Sequence, residues 1–376
     1  MNIADVTRGE RSFTISWDDQ SVAEFPFIWL RDNDPDELHP DTCERVFDLT
    51  SVDLEIRPDA FALESDALVV NWPQKDAPSV YSLDWLQLHR PGGARFDPAI
   101  VARTLWERES LTQIPRFEMT QCFEQPVVLR NALLTLKRFG ILIIDGLSDS
   151  ADASRDFGDL VGFRRRTNFG DTFEVISKPA PNNLAYTSLA LPLHTDLPNQ
   201  EIIPGYQLLH CYRNTCTGGE SVFADGFRIC ADLKKDAAAD FELLSQVQVP
   251  WRFHDQNHDI RRRRPIICQR EDGQMDYFVF NAHIADVPDM HVELMYDYYA
   301  AYQSLMRRIR DPQYAIRHAL VPGEMVVFDN SRVLHGRMAF DAESGERHLR
   351  GYYIERNELD DRIRVLDREE TACPWK

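Results

Sequence analysis

The stretch Leu191-Pro-Leu-His-Thr-Asp-Leu-Pro198 decides how the chain is read. In an extended segment, residues two apart project to the same side, so His194 and Asp196 reach one point. A second histidine lies far downstream, in Phe328-Asp-Asn-Ser-Arg-Val-Leu-His335-Gly-Arg337, behind the apolar run Glu324-Met-Val-Val-Phe328. Twelve residues after it comes Arg347, in Arg347-His-Leu-Arg-Gly-Tyr-Tyr353. A third ligand from a distant strand would complete a face of two histidines and one carboxylate. That donor set suits Fe(II) and leaves positions open for a cosubstrate and O₂. His-x-Asp alone is a weak signal, more often a polar strand end than a site. What favours a metal site is the order: His194 and Asp196, an apolar strand, His335, then a nearby arginine.

The 376 residues can hold two or more domains and bury a sizeable core. With 43% hydrophobic and 27% charged residues the composition is that of an ordinary globular protein. The net charge of −19 argues against a nucleic-acid partner and is compatible with a cationic substrate. Met1-Asn-Ile-Ala-Asp-Val-Thr-Arg8 lacks an apolar core of signal-peptide length, and no stretch reaches the length of a membrane span, so no membrane partner is expected. Seven scattered cysteines, at 43, 122, 211, 216, 230, 268 and 373, form no Cys-x-x-Cys pair. They predict free thiols and a cytoplasmic setting.

Residues 1–92 read as a small β-rich unit, with strands at Ser12–Trp17, Ala23–Trp29 and Ala67–Trp72. A short helix, Ser82–His89, has Ser82 as its cap. Arg90-Pro-Gly-Gly-Ala-Arg95 is the linker signal, and residues 93–376 form the second domain. There a helix ends on Gly140, Ile141–Asp145 is a buried strand, and 152–161 is another helix. Short strands at 173–176, 205–211, 221–224, 276–280, 324–328 and 351–354 are separated by turn signals, with helical inserts at 227–246 and 292–311. This pattern predicts an α+β, mainly β chain with a barrel or jelly roll. The stripe Leu294, Tyr298, Leu305 and Met306 in the second insert reads as core or a subunit contact. Arg164, Arg165 and Arg166 read as a solvated face. Arg261–Arg264 reads as a surface loop, with a lid as the less favoured alternative. Asp34, Asp36 and His39 read as an acidic, proline-containing loop, because structural zinc prefers thiolate and imidazole.

The sequence resembles the γ-butyrobetaine hydroxylase family, a branch of the taurine-dioxygenase-like Fe(II)/2-oxoglutarate oxygenases. The resemblance covers nearly the whole chain. It runs through Trp29-Leu-Arg-Asp-Asn33, Asn168-Phe-Gly170, Asn183-Leu-Ala-Tyr-Thr187, Leu193-His-Thr-Asp-Leu-Pro198 and Pro204-Gly-Tyr-Gln-Leu-Leu-His-Cys211. Thr217-Gly-Gly219, Asp225-Gly-Phe227, Phe328-Asp-Asn330, Leu334-His-Gly336 and Arg347-His-Leu349 complete it. It implies a double-stranded β-helix behind a small N-terminal domain, with His194, Asp196 and His335 on Fe(II). It implies that Arg347 pairs with the distal carboxylate of 2-oxoglutarate, in keeping with the two charge-assisted bonds a guanidinium makes to a carboxylate. Ser221 is a weaker candidate for the same group, and Leu209 belongs to the same pocket. The implied reaction consumes O₂ and converts 2-oxoglutarate to succinate and CO₂ while an unactivated C–H is hydroxylated; ascorbate is the expected activator.

Family substrates carry a trimethylammonium group, which has no N–H to donate and is held by aromatic faces. Phe169, Phe173, Tyr186 and Tyr353 match the cage. Asn183 and Asn281 match positions that hold the anionic end, and Asn199, five residues past His194, is a further candidate. γ-Butyrobetaine is the default substrate, with trimethyllysine or 2-trimethylaminoethylphosphonate as alternatives. A homodimer is expected. Relatives often bind structural zinc after Trp-Leu-Arg-Asp-Asn; here Asp34, Asp36 and His39 stand in that cluster and Asp76 at the later position, so no structural zinc is expected. Two other classes compete. A non-catalytic jelly-roll binding protein is disfavoured because all three ligands occur with Arg347. A metal hydrolase would need a general base near His194, and the sequence offers none.

Overall fold

Alternation along Ser12–Trp17 puts Phe13, Ile15 and Trp17 inside and leaves Thr14 exposed. The strand pairs antiparallel on both sides, with Ile3–Arg8 and Val22–Pro26. The structure, a computed structural model, describes residues 2–93, 95–148, 153–176 and 187–370. It divides into two compact units, Met1–Asp97 and Pro98–Lys376. In the first, a second three-stranded sheet is built from Ala60–Leu63, Ala67–Asn71 and Ser79–Ser82. Phe13, Ile15, Trp17, Leu68, Tyr81 and Leu86 meet in one core. Helix Leu83–Leu88 starts at Ser82, whose hydroxyl accepts the Trp85 N–H.

One strand expected there is shorter than its sequence suggests. Val22–Pro26 is extended, but Phe27–Asp32 is a helix, so Ala23–Trp29 is not a single strand. Pro26 has no N–H for a ladder, and helical spacing turns Phe27, Leu30 and Arg31 inward. In the acidic loop that follows, the buried Asp34 carboxylate takes the Lys75 ammonium at 2.7 Å and the Ser79 hydroxyl.

The second unit is organised by two sheets. The larger has strand order Phe173–Val175, Arg347–Ile354, Tyr206–Asn214, Met325–Asp329, Ile141–Asp145, Arg116–Glu118; the last pair is parallel and the others antiparallel. The smaller has the order Leu191–His194, Val333–Arg337, Ser221–Asp225, Ala315–His318. Ile141, Ile143, Val326, Phe328 and Leu349 from the first meet Phe223, Ile316 and Val333 from the second in a shared core. Residues of opposite parity on the large sheet, Leu142, Ile144, Leu208, Val327 and Tyr352, pack against helices Pro126–Phe139, Ala153–Val161 and Arg356–Glu370. Ile141–Ile144 is apolar at every position because both of its faces are covered.

The helical inserts form a third core. Residues 227–246 make two helices, Gly226–Asp236 and Ala238–Gln246, because Ala237 leaves the helical region with φ −146°. In Val292–Ile309, Tyr298, Ala301, Leu305 and Ile309 are buried and Leu294 and Met306 pack beside them, which places the stripe in the core.

Both arginine runs differ from expectation. Arg261–Arg264 is the end of strand Asp259–Arg264, in a hairpin with Val249–His254, and not an irregular loop. Each guanidinium has an acceptor that fixes it: Asp259 for Arg261, Glu201 for Arg262, Asp289 for Arg263, and the carbonyls of Gln200 and Glu201 for Arg264. Arg164 and Arg165 pair with Ile354 and Tyr353 at the sheet edge and bind Asp159 and Glu355, so this face is half-buried. The strand expected at 276–280 runs Met275–Phe278, and the one at 351–354 begins earlier, at Arg347.

A buried ion pair ties these pieces together. Arg332 Nε and its terminal nitrogen reach the two Asp225 oxygens at 3.0 and 2.7 Å, both side chains being essentially inaccessible. Arg332 also donates to the carbonyls of Thr104 and Arg138, and Asp225 accepts the N–H groups of Trp106 and Phe227. Every charged atom is thereby satisfied, which is the condition for burying such a pair. Asp225→Ala, which strands the arginine charge, is expected to cost about 3–5 kcal/mol, read as a fall in the denaturant midpoint at unchanged slope.

Candidate active site

The edge strand Leu191–His194 joins the smaller sheet antiparallel to Val333–Arg337, with His194 opposite His335 and Leu191 opposite Arg337. Past the strand, Thr195 donates its N–H to the Phe280 carbonyl at 2.7 Å, and its hydroxyl accepts the Phe280 N–H. Asp196 is pinned by fully buried Asn330, whose side-chain oxygen accepts its N–H at 2.7 Å and whose nitrogen donates to its carbonyl at 2.9 Å. Leu197 then turns the chain at φ +56°, a conformation that non-glycine residues adopt at a cost of order 1–3 kcal/mol and that clusters at functional sites.

This path brings His194 Nε2 to 3.4 Å from one Asp196 oxygen and His335 Nε2 to 3.6 Å from the other. Among the described residues, these three form the one group of metal-capable side chains, with donor atoms all within 4.8 Å. His194 Nδ1 lies 2.9 Å from the Pro192 carbonyl; a proton there leaves Nε2 with its lone pair facing Asp196. Burial, with His194 beside it, pushes His335 down to about 3, so its imidazole is neutral. Burial alone would raise the Asp196 carboxyl; the two histidines and the Tyr353 hydroxyl at 2.7 Å outweigh it and hold the group ionised. Two imidazoles and one carboxylate, brought together in the interior, fit a divalent cation of the Fe(II) type.

The three side chains line a cavity of about 340 Å³. Arg347, Ser221, Leu209, Phe169, Phe173, Asn281 and Tyr353 line the same cavity, so ten of the residues picked out by sequence come together. Arg347 is half-buried, its inaccessible Nε has no hydrogen-bond partner among the described residues, and burial lowers its pKa. Arg337 stands beside it, donating to the carbonyls of Thr187 and Leu189 at 2.6 and 2.8 Å; burial, then Arg347, pushes it down to about 10. Among the described residues Asp196 is the only carboxylate in the lining. A buried and a half-buried guanidinium and a cation site with one carboxylate call for an anionic ligand.

The aromatic rings come in pairs, Phe173 with Tyr353 at 5.3 Å and Phe169 with Phe253 at 5.4 Å between centroids. Asn281 donates one amide hydrogen to the Thr195 carbonyl and accepts the His283 N–H, which fixes its orientation. Asn199 is different: it is fully buried, its amide nitrogen lies 3.4 Å from the Ile260 carbonyl, and it is not part of the lining. Asn183 and Tyr186 lie outside the described residues.

Sequence reasoning missed Arg337, Phe253, Gln207 and His283, which also line the cavity. A signal existed for Arg337, which follows His335 by two residues on one strand and so shares its face. None existed for Phe253, which reaches the cavity only through the way the Val249–His254 hairpin packs.

Residues 121–353 match the family described as taurine catabolism dioxygenase TauD, TfdA family, and residues 4–87 match gamma-butyrobetaine hydroxylase-like, N-terminal. The gamma-butyrobetaine dioxygenase of Pseudomonas sp. (strain AK-1) is 35% identical over 368 residues, 94% of each chain. That of Homo sapiens is 30% identical over 375 residues, 96% of each chain. Among solved structures, an asparagine oxygenase in complex with Fe(II), 3-hydroxyasparagine and succinate superposes with a TM-score of 0.51 at 15% identity, over 63% of this chain and 82% of that one. The likeness is one of fold.

Removing a donor or its support has separable effects. His194→Ala is expected to abolish the binding of one Mn(II) per chain in a calorimetric titration. Asn330→Ala, which leaves the donors in place but frees the Asp196 backbone, is expected to weaken it about 10–100-fold, the scale of losing an outer partner.

Proposed function

Because this chain belongs to the TauD, TfdA dioxygenase family and carries its gamma-butyrobetaine hydroxylase-like N-terminal region, we propose that it hydroxylates γ-butyrobetaine to carnitine. It is an Fe(II)- and 2-oxoglutarate-dependent dioxygenase. The observation that carries the substrate reading is the one cavity in which the His194, Asp196 and His335 donors, Arg347 and the aromatic pair Phe173 and Tyr353 meet.

In this reading His194, Asp196 and His335 hold the iron. Arg347, with the Ser221 hydroxyl, takes the distal carboxylate of 2-oxoglutarate, and Leu209 lines the space between. When bound, iron and 2-oxoglutarate would together activate O₂, one oxygen atom going to succinate as CO₂ leaves and the other replacing a C–H bond by C–OH. The protein's share is aim and exclusion. Tyr353 has two tasks, since its hydroxyl holds Asp196 while its ring stands beside Phe173. A cation seated on that ring is thereby fixed in distance from the metal ligands. Phe169 adds to the cage and Asn281 receives the substrate carboxylate, while Tyr186 and Asn183, assigned to these two ends by the family resemblance, lie outside the described residues. Leu191, Ile284 and Leu349 line the remaining wall with apolar surface, which keeps water from the reacting centre.

The paired sheets of the second unit support a double-stranded β-helix, and the division into residues 1–92 and 93–376 remains our domain assignment. No helix of the described residues is long and apolar enough to cross a membrane. A cytoplasmic setting fits the six described cysteines, which are all free, and the homodimer is carried only by the family resemblance.

The test is turnover with Fe(II), ascorbate, 2-oxoglutarate and O₂ on a panel of γ-butyrobetaine, trimethyllysine, 2-trimethylaminoethylphosphonate, taurine and choline, reading succinate and product by mass spectrometry. Carnitine is expected. Product from another trimethylammonium compound alone would keep the cage and change the substrate; product from taurine alone would overturn the cage. Arg347→Met should raise KM for 2-oxoglutarate about 10–100-fold, since charged hydrogen bonds contribute about 1.5–3 kcal/mol. Phe173→Ala should weaken substrate binding by about 1–2 kcal/mol.

A further inference from the structure

The strand Arg347–Ile354 alternates strictly. Arg347, Leu349 and Tyr353 line the cavity, and the position between the last two is Gly351. Its backbone does not call for glycine, since its φ lies outside the left-handed region. The reason is steric. A Cβ built on Gly351 would lie 2.4 and 2.6 Å from Phe173 Cζ and Cε2 and 2.7 Å from Leu209 Cδ2. The Phe173 ring therefore lies across the bare α-carbon of Gly351, directly beside the Tyr353 ring.

A second observation concerns what keeps the ring there. Phe173 belongs to a three-residue strand, Phe173–Val175, whose only ladder partner among the described residues is Arg347–Ile354. So short a strand is expected to open easily. On the opposite face, Glu174 is gripped from both sides: Arg350 Nε donates to one oxygen at 2.5 Å, and His348 Nε2 lies 2.5 Å from the other. These two partners are themselves two residues apart on the strand that carries Gly351, and Tyr212 stacks against His348 at 5.2 Å.

We propose that Gly351 and Glu174 are positioning residues that seat the Phe173 ring, the glycine by leaving room and the carboxylate by clamping its strand, and that together they set selectivity for a quaternary ammonium group. This rests on the cage reading above. Neither residue touches the substrate. Both act through Phe173, so changing them alters the cation subsite while the Arg347 end of the same strand keeps its cosubstrate contacts.

The test uses the full-length iron-loaded enzyme and the variants Gly351→Ala, Glu174→Ala, Glu174→Gln, Phe173→Ala and the Gly351→Ala/Phe173→Ala double. Gly351→Ala is expected to raise KM for γ-butyrobetaine at least about 10-fold, the scale of an overpacked contact, with KM for 2-oxoglutarate near wild type. Added to Phe173→Ala it is expected to have little further effect, because the clash partner is gone. Glu174→Ala is expected to raise the same KM and to speed backbone hydrogen exchange in residues 171–176, with Glu174→Gln restoring part of both. The proposal is overturned if Gly351→Ala leaves KM for γ-butyrobetaine unchanged or shifts both KM values equally. It is likewise overturned if Glu174→Ala leaves exchange in 171–176 unaltered. The exchange measurement needs no substrate. Wild type inert toward every trimethylammonium compound, with exchange still released by Glu174→Ala and Gly351→Ala, would sink the proposed substrate and leave the seat standing.

Discussion

One antiparallel register governs this protein: His194 on the edge strand stands opposite His335 on its neighbour. A slip of the edge strand by one residue would send the His194 imidazole to the other face of the sheet, away from His335. An edge strand of four residues cannot hold that register by its ladder alone, and the chain supplies other anchors. The turn before Val333–Arg337 holds most of them in sequence. Asn330 ties down both backbone groups of Asp196, Ser331 accepts the Phe278 N–H through its carbonyl, and Arg332 closes on Asp225. All three are buried, and a buried polar group that loses its partner costs far more than an exposed one gains. The register is thus fixed by penalties for leaving it.

The second organising element is the strand Arg347–Ile354. Its period of two puts a guanidinium, a leucine, a gap and a tyrosine along one cavity wall, and His348, Arg350 and Tyr352 on the other side. One face lines the cavity, while the reverse binds Glu174 and packs on the helices through Tyr352. The chain's charge balance works at a different level. A net charge of −19 describes the solvated surface, whereas the cavity lining, among the described residues, has Arg252, Arg337 and Arg347 against a single carboxylate. Whole-chain charge speaks to solubility and to excluded partners, and the lining speaks to the ligand.

The sequence by itself determined whatever is local or depends on chemical type. The alternation in Ser12–Trp17, the cap at Ser82, the doubly covered strand Ile141–Asp145, the His194 and Asp196 pair and the need for a distant imidazole and arginine were all legible, because periodicity and donor chemistry are written in adjacent residues. Local composition misled where tertiary partners overrode it. Four consecutive arginines suggest a solvated loop, yet Arg261–Arg264 is a strand paired with Val249–His254, and acceptors from distant segments meet Arg262, Arg263 and Arg264. Proline at 26 ended a strand that apolar residues seemed to continue. Only the tertiary structure decided that Asn199 faces the Ile260 carbonyl instead of the cavity, that Phe253 and Arg337 join the lining, and that Gly351 is the seat of a ring carried by another strand. Each of these depends on which segments, tens to hundreds of residues apart, are brought into register and packed. No window of sequence holds that information, because close packing of side chains is a property of the assembled core.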